Sequence, residues 1–532
     1  MTCGEVLVGL LETFGIDTVF GIPGVHTVEL YRGLPETRIR HITPRHEQGA
    51  GFMADGYARA GGRPAACFII TGPGMTNITT AMGQAYGDSV PMLVISSVNN
   101  THDLGRGEGR LHELPSQRDL IGGVSAFSHT LMQAEDLPEV LERAFARFES
   151  ARPRPVHIEL PLDVITAKVA GIAPMIRPKF DKPSPDETQI LRAASLLRKA
   201  DSPLVVLGGG AQDAAPEARE LVQRLGGPAV TTINGKGILS PDDPMNLGST
   251  LPQPPVLQAL TDADVVLAVG TELGETDTLL FRRRLELKGK LIRIDIDSEQ
   301  LRRNAPAEVG IVSDAKAALK TLSDALPASG KSRTPETARA AAMREALDAL
   351  LTDTQLVHQR IMRVVDQALP GVIVVGDSTQ LVYNANLFYQ PKAPRSYFNS
   401  STGYGTLGYA LPAALGAKLA RPDRPVVSII GDGGLMFTVG ELATAVELKL
   451  PLAVLVWNNR GYGEIKRHMA ERGIPQIGVD IYTPDLLAVA RAFGCRTARA
   501  DTLDQLKGLL AETPGAAGPT VIEVVEETAL KW

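Results

Sequence analysis

Val426-Val427-Ser428-Ile429-Ile430-Gly431-Asp432-Gly433-Gly434 is the stretch on which the fold turns, read with Asn458-Asn459-Arg460-Gly461 further on. Residues 426–430 form a short apolar run closed by glycine, the pattern of a buried strand. Leu442, Ala445 and Val446 then recur at i, i+3 and i+4, which predicts a helix from Thr438 to Leu450. Leu452–Trp457 predicts the next strand, ending at the Asn pair. Strand, helix and strand make one crossover between parallel neighbours. Asp432 and Asn459, 27 residues apart, therefore fall at the carboxyl ends of strands, where open α/β sheets bind their ligands.

The same rhythm extends outward. Apolar runs at 66–70, 92–96, 204–207, 265–269, 291–296, 372–375 and 453–456 alternate with helical patterns, so parallel sheets covered by helices are expected throughout. Two stretches interrupt it. Residues 166–188 carry Pro174, Pro178, Pro183 and Pro185 among polar neighbours, and residues 326–337 read Leu-Pro-Ala-Ser-Gly-Lys-Ser-Arg-Thr-Pro-Glu-Thr. Both have linker composition. They divide the 532 residues into 1–165, 189–325 and 345–532, in keeping with roughly 100–200 residues per domain. The expected fold class is α/β, with three doubly wound parallel-sheet domains. No short-period repeat marks a solenoid.

Composition excludes several classes. Hydrophobic residues are 44% and mean hydropathy is +0.01, ordinary for a globular protein with full cores. The net charge is -6 and Lys and Arg do not cluster, so no nucleic-acid partner is expected. No apolar run approaches the roughly 18–20 residues that span a bilayer, and no cleavable leader pattern opens the chain, so no membrane partner is expected. Cys3, Cys67 and Cys495 are too scattered for a disulfide framework or a zinc site, and a reducing cytoplasm is the expected location.

Chemistry enters with Asp432. The flanking Gly431, Gly433 and Gly434 let backbone N–H groups approach phosphate oxygens. Asp432 and Asn459 offer hard oxygens suited to Mg²⁺, which takes one or two carboxylates plus phosphate oxygens and water. A Gly-Asp-Gly after a strand is by itself commonly only a turn; the spacing to Asn459-Arg460-Gly461 is what points to a metal–diphosphate site. A second candidate is Glu47 in Arg45-His46-Glu47-Gln48-Gly49-Ala50, before Met53-Ala54-Asp55-Gly56-Tyr57. It reads either as an acid meeting a helix N-terminus or as a catalytic group.

Together these motifs resemble those of the thiamine-diphosphate (ThDP) enzymes of the acetolactate-synthase and 2-oxo acid decarboxylase type, along the whole chain. The resemblance implies that Asp432, Asn459 and the Gly461 carbonyl hold Mg²⁺, with Tyr462 beside them. It implies that Glu47 hydrogen-bonds the aminopyrimidine ring and serves as the activating acid; held in an apolar pocket, such a group has its pKa raised by desolvation. Gly24 in Gly21-Ile22-Pro23-Gly24-Val25-His26 belongs to the first active-site loop, with Val25 and His26 facing substrate. Gly72 and Asn77 lie in the turn over the cofactor. The Gly405 carbonyl accepts from the 4′-amino group, and Leu407 wedges the cofactor into its bent shape, although Leu407 also reads as core packing. Gln117 matches a position that reaches the reacting centre or else is a surface residue; His46 reads as structural. Glu47 and Asp432, 385 residues apart, meet across a subunit interface in this family, which implies a homodimer or homotetramer.

Two departures bear on cofactor and substrate. Acetolactate synthases carry Arg-Phe-Asp-Asp-Arg after a middle-domain strand as part of an FAD site; here the chain reads Thr271-Glu272-Leu273-Gly274-Glu275, which puts FAD in doubt. Glu464-Ile465 stands where synthases have Met-Val near the reacting carbon. A carboxylate there suits a substrate with a cationic tail, or Glu464 is a solvated acid at a helix start. Residues 21–31 and His112-Glu113-Leu114-Pro115-Ser116-Gln117 also resemble the 2-ketoarginine (5-guanidino-2-oxopentanoate) decarboxylases. The expected activity is release of CO₂ and an aldehyde from a small 2-oxo acid. The alternatives are carboligation as in acetolactate synthase, a flavin or NAD oxidoreductase built on Gly208-Gly209-Gly210, and a catalytically silent homologue.

Overall fold

Strands such as Val265–Val269 and Ala453–Asn458 are buried along their whole length, as parallel strands covered on both faces must be. The computed structural model describes residues 1–169, 177–281, 284–327 and 334–532. Within them the strands form three wholly parallel sheets. The first holds β1 (Thr18–Gly21), β2 (Arg40–Ile42), β3 (Ala66–Ile69), β4 (Leu93–Val98), β5 (Phe127–Thr130) and β6 (Val156–Pro161), in the order β2-β1-β3-β4-β6-β5. The second holds β7 (Leu204–Leu207), β8 (Ala229–Thr231), β9 (Val265–Val269), β10 (Lys290–Asp295) and β11 (Val309–Val312), in the order β11-β10-β9-β7-β8. The third holds β12 (Ile373–Gly376), β13 (Tyr397–Asn399), β14 (Val426–Gly431), β15 (Ala453–Asn458), β16 (Arg496–Arg499) and β17 (Thr520–Val525), in the order β13-β12-β14-β15-β17-β16. This is the expected α/β class. The first and third sheets share one strand order, a long-range duplication that no short-period search detects.

Seven helices position the site: α1 (Glu47–Gly61), α2 (Pro73–Gly87), α3 (Gln117–Gly122), α4 (Ala410–Ala420), α5 (Asp432–Thr438), α6 (Glu441–Glu447) and α7 (Gly463–Glu471). Helices α1 and α4 cross at backbone contact. A Cβ on Gly56 would lie 2.0 Å from the Ala413 carbonyl oxygen, and one on Gly416 would lie 1.9 Å from that of Met53. Only glycine admits this approach. The crossing merges the apolar cores beneath the first and third sheets into one cluster, including Phe52, Tyr57, Tyr409 and Leu411.

The structure corrects the local reading around Asp432. Instead of one helix over Thr438–Leu450 there are two, α5 beginning at Asp432 itself and α6 after a break at Val439-Gly440. Strand β15 runs one residue later than expected and takes in Asn458. Of the Pro-rich stretches, residues 177–186 have no regular structure, while 170–176, with Pro174, and 328–333 lie outside the described residues. Helix Thr334–Asp348 adds Ala340 and Met343 to the core of the second sheet. Among the described residues no helix is long and apolar enough to cross a membrane.

Candidate active site

Because α5 starts directly from β14, Asp432 is carried at the sheet edge with the first N–H groups of α5 lacking an intrahelical acceptor. Its carboxylate is 1% exposed and accepts the Thr483 hydroxyl at 3.0 Å and the Asn459 N–H at 3.4 Å. Burial pushes its pKa up, opposed by the Thr483 hydroxyl and the N–H groups of Asn459, Gly433 and Gly461. No cation pairs with it among the described residues. A buried carboxylate without a counter-charge is costly, so this donor set fits a divalent ion. Tyr462 packs over Gly433, where a Cβ would lie 2.8 Å from the ring, and Gly461 adopts a φ of 155°. Glu526, at the end of β17, is hydrogen-bonded by the Asn459 side chain and by Trp457 Nε1 at 3.2 Å, which orients the amide. Thr483 and Glu526 carry no motif, and sequence reasoning missed both.

A second turn lies against the first. Asp377, fully buried at the end of β12, accepts the N–H groups of Ser378 (2.9 Å), Ala410 (3.0 Å) and Gly408 (3.3 Å). Desolvation pushes its pKa up to about 6. It therefore fixes the segment holding Gly405, at a φ of 80°, and the half-buried Leu407. A Cβ on Gly434 would lie 3.0 Å from Asp377 Oδ1, and one on Gly431 would lie 3.2 Å from the Thr379 hydroxyl. Asp377-Ser378-Thr379 thus borders the Asp432 turn. Gly376-Asp377 repeats the strand–Gly-Asp pattern of Gly431-Asp432, a signal that could have revealed it.

On the first sheet Glu47 is the half-buried first residue of α1, and its carboxylate accepts the Asn77 amide at 2.9 Å. Gly74 abuts it, a Cβ there falling 3.4 Å from Glu47 Oε1. His46 is the N-cap, its Nδ1 accepting the Gln48 N–H, a structural role as expected. Gly24 accepts from Thr27 and packs on Ile70; Val25 beyond it is exposed. His26 stacks edge-on against His112, ring centroids 5.1 Å apart, and the His112 backbone covers Gly72. Gln117 is 3% exposed, so it is not the surface residue of the alternative reading, and its carboxamide is fully engaged. The oxygen accepts Thr71 Oγ1 (2.9 Å) and the Gly72 N–H (3.0 Å), and the nitrogen donates to Ser96, Ser97 and Glu159. Gln117 thereby holds Thr71 and Gly72 at the start of the turn. Glu464 is also engaged, pairing with Arg467 at 2.5 Å and His468 at 3.1 Å on its own helix, while Ile465 is exposed.

A cavity of about 350 Å³ lies where the three sheets adjoin, lined by Gly209, Gly210, Asp277 and Asp295. Desolvation pushes Asp277 up to about 7 and Asp295 up to about 6. Each of the four cations lining it is already paired: Arg59 with Asp55 and Asp88, Arg152 with Glu272, Lys182 with Asp314, Arg395 with Asp213.

Comparison with known proteins agrees with this geometry. The chain matches the thiamine pyrophosphate enzyme N-terminal TPP binding domain over residues 1–120, the central domain over 190–322 and the C-terminal TPP binding domain over 377–524. It is 47% identical over 530 residues to the probable 2-ketoarginine decarboxylase AruI of Pseudomonas aeruginosa, covering 98% of this chain and 94% of that one. It is 30% identical to the probable acetolactate synthase large subunit of Methanocaldococcus jannaschii, covering 99% and 92%. It is 31% identical to the acetolactate synthase isozyme 1 large subunit of Escherichia coli K12, covering 98% and 93%. With all three domains matched along the chain, it belongs to the thiamine pyrophosphate enzyme family.

Proposed function

We propose that the chain decarboxylates a small 2-oxo acid to an aldehyde and CO₂, with 5-guanidino-2-oxopentanoate as the candidate substrate, using ThDP and Mg²⁺ without flavin. The observation that carries the reading is the buried, cation-free Asp432 carboxylate beside Asn459 and Gly461 at the ends of β14 and β15. Asp432, Asn459 Oδ1 and the Gly461 carbonyl hold the metal, and Gly431, Gly433, Gly434 and Tyr462 line the diphosphate. Bound there, ThDP supplies the nucleophilic carbon and the electron sink that decarboxylation requires. Glu47, held by Asn77, moves the activating proton. Gly405 and Leu407, in the segment fixed by Asp377, would orient the cofactor once bound. Gly24, Gly72 and Asn77 frame the opposite face, with Val25 and His26 toward substrate. Among the described residues Glu47 accepts from Asn77 and from no donor of the third sheet, which supports a homodimer or homotetramer with its sites at the subunit interface. So do the exposed side chains of Val25, Val28 and Leu111 on one face and Met436, Phe437 and Tyr482 on the other. The three cysteines are free and buried, in keeping with a cytoplasmic protein.

The test is CO₂ release with ThDP and Mg²⁺ from 5-guanidino-2-oxopentanoate, pyruvate and a branched 2-oxo acid. Preference for the guanidino acid with aldehyde formed is expected, and Glu47→Gln is expected to lower turnover by about 10²–10⁴-fold. Pyruvate preference with acetolactate formed would move the chain to carboligation, the reading its identity to the acetolactate synthases favours. Unchanged turnover in Glu47→Gln would sink the mechanism.

A further inference from the structure

Helix α1 begins with Glu47, and the backbone just before it is held from the third sheet's side of the same chain. Glu441, first residue of α6, is 1% exposed. Its Oε1 accepts the Arg45 N–H at 3.0 Å and the His46 N–H at 3.2 Å, and its Oε2 accepts the Thr444 hydroxyl at 2.7 Å. The approach is so close that a Cβ on Gly49 would lie 2.1 Å from Oε1. The N–H groups before a helix have no intrahelical acceptor, and a carboxylate is a strong one. A carboxylate 396 residues away in sequence therefore does here what a local cap does elsewhere. An exposed ion pair, Arg45 with Glu447, spans the same interface. The two contacts differ in kind: one is buried and grips the main chain beside Glu47, the other is a solvated bridge between side chains.

We propose that Glu441 is a positioning residue for Glu47, holding the 45–47 backbone so that the Glu47 carboxylate is presented in register to the cofactor ring. This rests on the assignment of Glu47 as the activating acid, and not on which 2-oxo acid is the substrate. Burial raises the pKa of Glu441, with the Thr444 hydroxyl and the two N–H groups opposing, so the ionised form depends on those donors. Replacing the carboxylate by an amide leaves one oxygen for the two N–H groups and turns an NH₂ toward the Thr444 hydroxyl, so the charge and the second acceptor for the Arg45 N–H are lost and the segment can shift. A shift of order 1 Å at a catalytic group can cost about 10²-fold.

The experiment compares wild type, Glu441→Gln and Glu447→Ala by two readouts that need no substrate. The first is amide hydrogen exchange over residues 44–50 in the full chain without cofactor. The second is the rate at which the thiazolium C2 proton of bound ThDP exchanges with deuterium. Glu441→Gln is expected to lose protection at 45 and 46 and to slow C2 exchange by about 10- to 100-fold while still binding ThDP. Glu447→Ala is expected to match wild type in both. Should Glu441→Gln fail to fold, Glu441→Asp, which keeps the charge but falls one methylene short, carries the same expectation. Unchanged C2 exchange in a folded Glu441 variant overturns the proposal, as does an equal loss in Glu447→Ala, which would make the contact simple domain adhesion. If Glu47→Gln itself leaves C2 exchange unchanged, the catalytic assignment fails, and the positioning role falls with it.

Discussion

Glu464 shows how a single side chain changes meaning once its neighbours are known. In the sequence it is either a partner for a cationic substrate tail or an acid at a helix start. In the structure it is at the start of α7, its side chain 30% exposed, and it is paired with Arg467 and His468. Tyr383, in the helix after β12 and with its phenol pushed up to about 12 by burial, lies close enough to feel its charge. An incoming guanidinium must compete with Arg467 for it. A partly exposed pair of this kind is worth about 0.2–1 kcal/mol. Glu464→Gln is therefore expected to raise KM for 5-guanidino-2-oxopentanoate by no more than about fivefold and to leave pyruvate unaffected. Arg467→Ala, which frees the carboxylate, is expected to lower the same KM. Steady-state kinetics on both substrates checks this, and no change in either variant would return Glu464 to the role of a solvated helix-start acid.

At the scale of elements, the site consists of two turns at the carboxyl ends of β12 and β14, each opening with Gly-Asp. One of these was legible: the turn at Gly431-Asp432 is followed by an Asn pair at crossover distance. The turn at Gly376-Asp377 repeats the Gly-Asp pattern, but its partners are the main-chain N–H groups of Ser378, Gly408 and Ala410, so no second side-chain motif at crossover distance supports it. The break between α5 and α6 was equally hidden, since Leu442, Ala445 and Val446 keep helical spacing on one side of it. Asp377→Asn removes the shared acceptor and places an NH₂ group among donors, an unsatisfied arrangement worth about 1–3 kcal/mol. It is expected to weaken ThDP binding by about tenfold or more while the fold persists, measured by cofactor titration. Acid should do the same to wild type. Desolvation pushes Asp377 up to about 6, so the folded chain takes up this proton before the unfolded one does. Falling pH through 6 thus carries no loss of global stability from this group, yet the neutral carboxyl holds the 405–410 segment less well. ThDP affinity is expected to fall between pH 7 and 5 in wild type and to lack this component in Asp377→Asn.

For the whole molecule, the decisive feature is how the three sheets are joined. Lys236 is fully buried between the second and third, its ammonium donating to the Tyr389 carbonyl and lying 5.4 Å from the Tyr397 ring centroid. Desolvation lowers its pKa to about 7 from an ordinary 10.5. Below pH 7 both states are protonated and the full cost of burying the charge stands. Between pH 7 and about 10.5 the unfolded chain binds the extra proton, so raising the pH favours the folded state by at most about 1.4 kcal/mol per pH unit from this group. Lys236→Met is expected to remove that slope and to be more stable than wild type at pH 6, provided the Tyr389 carbonyl finds another donor. Urea midpoints at pH 6, 8 and 9.5 decide it; an unchanged slope would mean that the ammonium is solvated through the interface.

Asp432, Asn459 and Gly461 could be singled out before any coordinates because their signal is local. A parallel neighbour needs a crossover, and one helix between two strands puts Asp432 and Asn459 27 residues apart in the chain itself. The class of fold followed from the same periodicity. What only the folded chain could decide is where each polar group finds its partner. Thr483 reaches Asp432 from 51 residues away, and Glu441 reaches Arg45 from 396. Gln117, read from sequence either as reaching the reacting centre or as a surface residue, is buried because Thr71, Gly72, Ser96, Ser97 and Glu159 together satisfy its amide. A hydrogen bond is satisfied by proximity in space, whatever the separation in sequence. For Thr483 and Gln117 the choice is made as one domain folds; for Glu441 it is made only when α1 and α4 pack against each other and bring the first and third sheets together.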